Sequence, residues 1–154
     1  MKLRMSLRPT TPKKITQDMR LFLTTAGLLG DPLFIRHTRV SAHHKPGYCL
    51  DNCEQEAQKR GAEVVFGWVV WEDRRAHFIV AEFHAVIRKS GSLIDITPRV
   101  DGEKRVLFIE DPIRVARRVG PKEWDTWSNF KWWDGAMEYT SQIRIVDEPA
   151  LADA

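Results

Sequence analysis

Apolar positions recur along the chain with two periods, and each change of period marks an element. From Thr16 onward Met19, Leu21, Phe22 and Leu23 fit a helical repeat, and Gly27 and Gly30 can end it, so a helix is expected there. "LFIRHTRV" (33–40) reads as a short strand and "SAHHKPGY" (41–48) as a polar loop. "LDNCEQEAQKR" (50–60) is made of good helix formers, and Gly61 stands where a left-handed C-terminal cap belongs, which puts Cys49 at the N-terminal edge of a second helix. "AEVVFGWVVW" (62–71), a turn at "EDRR" and "HFIVAEFHAVIRK" (77–89) then predict two long strands rich in β-branched and aromatic residues. Ser90-Gly91 predicts a tight turn into "SLIDIT" (92–97), stopped by Pro98, and "RVLFIE" (105–110) predicts a fourth strand of the same antiparallel sheet. Asp111-Pro112 resembles a cap and first-turn pair, so "IRVARRV" (113–119) is expected to be a short helix closed by Gly120. The segment 121–139 carries four of the six tryptophans, which are expected to pack against the sheet.

Size and composition narrow the picture to one water-soluble domain. A chain of 154 residues can bury roughly two-thirds of its unfolded surface around a single core, so neither a disulfide nor a metal is required for folding. The N-terminus has positive charges without an apolar run behind them, and "VVFGWVVW" is too short to span a bilayer, so a cytoplasmic protein without membrane contact is expected. The net charge of +3 comes from dispersed Lys and Arg, which gives only slight support to a nucleic-acid partner. The domain is expected over residues 16–146, between a flexible arm (1–15) and a loose acidic tail (147–154).

The hairpin around Ser90-Gly91 carries the chemistry. With Lys89 opposite Ser92, Val86 falls opposite Asp95 and His84 opposite Thr97. Ile79, Ala81, Phe83, Ala85 and Ile87 then share an apolar face with Ile94 and Ile96, while His84 and Asp95 share the other as diagonal neighbours. An imidazole beside a carboxylate, with a cysteine at a helix start, supplies the parts of a thiol nucleophile: the helix end favours thiolate, His84 exchanges the proton and Asp95 fixes the tautomer.

Both cysteines lie in "GYCLDNC" (47–53), and three readings compete for them. A disulfide is disfavoured, because helical side chains four apart stand about 5–6 Å apart at Cβ, beyond the roughly 3.8 Å required. A zinc site could draw on His43, His44, Cys49, Cys53 and His84, but the spacing lacks a second cysteine pair. A nucleophile at Cys49 is favoured over Cys53, which stands one turn deeper and is expected to pack as a small hydrophobe. Asn52 is a candidate to line the site. His37, His77 and the His43-His44 pair read as surface residues, with His44 able to donate near Cys49.

The order Cys, His, Asp, with the cysteine heading a helix and the other two on consecutive strands, resembles the transglutaminase-like branch of the papain-fold cysteine enzymes. The similarity lies in Cys49, Ala57, Arg60, Gly61, Gly67 and Trp68 and in the run from His84 to Pro98, and spans roughly residues 45–98. It implies Cys49 as nucleophile, His84 as base and acid, and Asp95 as orienting group. It also implies an α+β fold: N-terminal helices, including the cysteine helix, packed on an antiparallel sheet, with C-terminal helices completing the core. The function expected is a thiol hydrolase or acyltransferase that opens an amide, peptide or isopeptide bond in a protein or peptide and uses no cofactor or metal. The alternatives are a binding domain of this fold for protein or nucleic acid, and a small zinc module.

Overall fold

The computed structural model describes residues 6–148. Helix α1 (Gln17–Thr25) is capped by the Thr16 side chain, which accepts from the Met19 amide. Strand β1 (Leu33–His37) follows, and then α2 (Cys49–Arg60), closed by Gly61 in the left-handed region at φ 67°. Next come β2 (Glu63–Asp73), β3 (Phe78–Lys89), β4 (Ser92–Asp95) and β5 (Arg105–Glu110). Ser90 and Gly91 both have positive φ and pair Lys89 with Ser92, the expected register.

These five strands close on themselves. In the order β2-β5-β1-β4-β3 each strand bonds the next, and β3 returns to β2 along an antiparallel ladder from Glu63–Arg88 to Asp73–Phe78. Four contacts around the ring are antiparallel, and β1–β4 is parallel. Ile35, Val65, Val69, Val86, Leu93, Val106 and Phe108 come from all five strands into one cluster, which is the barrel interior. Gly67 belongs to the same inward series. A Cβ there would meet the Ile109 carbonyl oxygen and lie 2.5 Å from Phe108 Cζ, so only glycine lets the Phe108 ring close the barrel. The outer face of β2 and β3 (Trp68, Val70, Ile79, Ala81, Phe83, Ala85, Ile87) packs with Met19, Phe22 and Leu23 of α1 and with Leu50 and Cys53 of α2.

The C-terminal third is β, where helices were expected. It forms β6 (Arg117–Gly120), β7 (Glu123–Trp127), β8 (Phe130–Trp133), β9 (Ala136–Glu138) and β10 (Gln142–Val146). Among the described residues 42% are in strands and 15% in two helices, arranged around a closed five-stranded barrel, so the papain-like α+β expectation is overturned. The physical reasons are local. Asp111 does cap, accepting from the Ile113 and Arg114 amides at 2.9 and 3.0 Å, but the chain leaves this turn as strand β6. Arg118 there reaches Asp51 (2.5 Å), Glu54 (2.9 Å) and the carbonyls of Gly120 and Pro121, bonds that need an extended backbone around it. Asp134-Gly135, both at positive φ, turns β8 into β9 with Trp133 opposite Ala136. Strands β8 and β9 extend the barrel sheet from β3, while β6, β7 and β10 form a separate sheet that meets α2 through Arg118 and through Trp124, whose Nε1 donates to Asp51 at 3.0 Å.

Both ends differ from expectation as well. Arm residues lie along the barrel, with Thr10 bridged to Glu72 and the Arg8 amide donating to Asp73. Within the expected acidic tail (147–154) Glu148 is buried at 4% exposure, while 149–154 lie outside the described residues. No helix among the described residues is long and apolar enough to cross a membrane.

Candidate active site

Helix α2 begins at Cys49 without a side-chain cap from Tyr48, so its first amides depend on partners from elsewhere in the chain. Asn52 fixes the approach to this end. Its side chain accepts from the Lys45 amide (3.2 Å) and donates to the Lys45 carbonyl (2.9 Å) and to Thr97 Oγ1 (3.2 Å). The last bond ties α2 to the chain just beyond Asp95. Asn52, the candidate to line the site, is thus a buried clamp between loop, helix and barrel.

His84 and Asp95 meet as the hairpin register requires, with Nε2 2.9 Å from Asp95 Oδ1. Asp95 is fully buried, and among the described residues its Oδ2 has no hydrogen-bond partner, so the carboxylate is satisfied mainly by the imidazole. The Cys49 sulfur lies beside the imidazole and the two interact electrostatically, which brings Cys49, His84 and Asp95 into one cluster. Burial disfavours the imidazolium, yet the charges of Cys49 and Asp95 and their hydrogen bonds outweigh it and hold the His84 pKa well above its ordinary value. Cys53 is fully buried in the main core, and burial, reinforced by Cys49 and Asp95, raises its thiol pKa far above normal.

The geometry departs from expectation at the thiol. Cys49 heads the helix beside His84, but its pKa lies above the ordinary thiol value. Burial is the largest cause; His84 opposes it and the Glu148 charge adds to it. Glu148 is the residue that sequence reasoning missed. Its Oε1 accepts from the Asp51 amide at 2.9 Å and its Oε2 from the Leu50 amide at 3.2 Å, and the Cys49 Sγ–H donates weakly to Oε2 at 4.0 Å. The helix end that would favour a thiolate is therefore already occupied by a carboxylate. Burial drives the Glu148 pKa up to about 7 against the lowering effect of the two amides. No periodic signal in the sequence points to this contact, which joins residues 97 and 98 positions apart.

The remaining histidines divide. His77 and His43 are exposed, but His44 is buried, with Nε2 3.8 Å from Glu56, and His37 Nε2 meets the Thr97 carbonyl at 2.7 Å. The surface reading of His44 is corrected, and His37 is half-buried. No group of three or more His, Cys, Asp or Glu among the described residues could hold a metal ion. A cleft of about 350 Å³ opens over Cys49, lined among others by Leu50, Phe83, Trp127, Tyr139 and Glu148. No family profile, curated protein or solved structure matches the chain.

Proposed function

We propose that this chain is a cytoplasmic thiol hydrolase or acyltransferase that opens an amide, peptide or isopeptide bond in a protein or peptide substrate. The observation that carries the reading is the contact chain from the Cys49 sulfur through His84 to Asp95 Oδ1 at 2.9 Å, built on the first residue of a helix. Two free cysteines suit a reducing compartment. In the reaction His84 takes the proton of Cys49, and the thiolate attacks the substrate carbonyl to form an S–C bond. The amides at the start of α2 stabilise the oxyanion. The C–N bond breaks as His84 protonates the amine, which leaves a thioester on Cys49. Water or an acceptor amine, deprotonated by His84, then attacks the thioester and releases the thiol. Asp95 keeps Nε2 engaged, so the other ring nitrogen serves the sulfur throughout.

The raised thiol pKa favours a second reading, a binding domain for protein or nucleic acid in which the relay is idle. Mass-resolved alkylation by iodoacetamide between about pH 5 and 9 separates the two. The hydrolase reading expects Cys49 to react much faster than Cys53, His84→Ala to slow Cys49 near neutral pH without affecting Cys53, and Asp95→Asn to slow it less than His84→Ala. Equal, slow reaction at both cysteines, unchanged by His84→Ala, makes the binding reading the better one.

A further inference from the structure

Glu148 does two things at once. It caps an otherwise uncapped helix, and it covers the thiol and the amides on which the proposed reaction depends. A carboxylate held by two amides beside a cysteine has the shape of the acid that hydrolysis would release. The residue is delivered by a short connection: β10 ends at Val146, Asp147 turns at φ 58°, and its amide donates to the Lys122 carbonyl at 2.6 Å. Releasing Glu148 therefore breaks one backbone bond and leaves the β10–β7 ladder intact. The cleft already reaches this point, with Glu148 and Cys49 both in its wall.

We propose that Glu148 is a built-in blocking group, lodged in the acyl-oxygen position of the site, and that substrate reaches Cys49 only when residues 147–148 swing away. The proposal rests on the thiol acyl-transfer reading. The titratable groups facing Glu148 are Asp51, Cys49 and Cys53 on α2, Tyr48 before it, and His84 on β3; of these only the imidazole can supply a positive charge. As pH rises through about 7 the docked carboxyl gains a charge that burial disfavours, so Glu148 is released more easily, while thiolate formation is also favoured. The two effects act together in the wild type, and only the second remains in Glu148→Ala.

The test compares wild type, Glu148→Gln and Glu148→Ala by Cys49 alkylation with iodoacetamide and by turnover of p-nitrophenyl acetate. In Glu148→Ala, Cys49 is expected to alkylate about tenfold faster near pH 8, because the carboxylate that helps to raise the thiol pKa is gone, and ester turnover should rise with it. Glu148→Gln, which keeps the shape and an acceptor oxygen, should lie between the two. Sodium acetate should slow Glu148→Ala back toward wild type and leave wild type unaffected. If Glu148→Ala melts at a lower temperature with no faster alkylation at Cys49, the residue is a helix cap only and the proposal falls. In that case fast Cys49 alkylation in the wild type leaves the hydrolase reading standing, and alkylation as slow as that of Cys53 in every variant removes both.

Discussion

His84 draws its character from two partners with different claims on it. Asp95 holds Nε2 and favours the cation, and the neighbouring Cys49 sulfur favours it further when ionised. Glu148 brings a second buried carboxylate to the same site, and its cost is measurable. Its pKa is raised in the folded protein, from 4.5 to about 7, so its stabilising contribution is complete below about pH 4.5 and is lost as pH rises through about 7. Relative to Glu148→Gln, the wild type should therefore lose stability across that window, on the order of 3 kcal/mol. Denaturant melts of both proteins at several pH values check this, and a constant difference between them contradicts it. At this scale the sequence was readable where spacing alone decides: a two-residue turn at Ser90-Gly91 fixes which strand residues share a face. It was silent on Glu148, because nothing local distinguishes a glutamate that ends a strand in solvent from one that caps a distant helix.

Both helices and the strands up to Glu110 follow from periodicity and punctuation, since Thr16, Gly61 and Ser90-Gly91 perform locally the tasks their chemistry suits. The later elements do not. Asp111 makes the expected cap bonds, yet Val115 and Val119 are β-branched, and the Arg118 contacts that hold the chain extended are tertiary. Asp134-Gly135 between aromatic runs was a hairpin signal overlooked among the tryptophans. Gly67 shows how one element depends on its neighbour: it stands opposite His84 on the β2–β3 ladder and beneath the Phe108 ring. Gly67→Ala should force β5 away from β2 and cost about 3 kcal/mol, a fall in melting temperature on the order of 10 °C. Thermal unfolding followed by circular dichroism checks it, and a melting point within a degree or two of wild type contradicts the close packing.

Closure of the barrel is the property of the whole molecule least visible in the chain. It needs β2, already paired with β3 across the turn at 74–77, to bond β5 as well, and β1 to run parallel to β4; these last two pairings are set by long-range packing and not by any adjacent turn. That closure places the Cys49 helix against the outer face of β3, with Asn52 reaching Thr97 and the imidazole reaching the sulfur. The three-stranded sheet then anchors the first turn of α2 through Asp51 and carries Glu148 to its end. The proposed relay predicts that the acyl intermediate can be caught in place. Glu148→Ala protein treated with p-nitrophenyl acetate, quenched in acid, digested and analysed by peptide mass should carry one acetyl group, on Cys49, and should lose it when His84→Ala is added. Acetylation confined to lysines, or found equally on Cys49 with and without His84, would contradict a relay that activates this thiol.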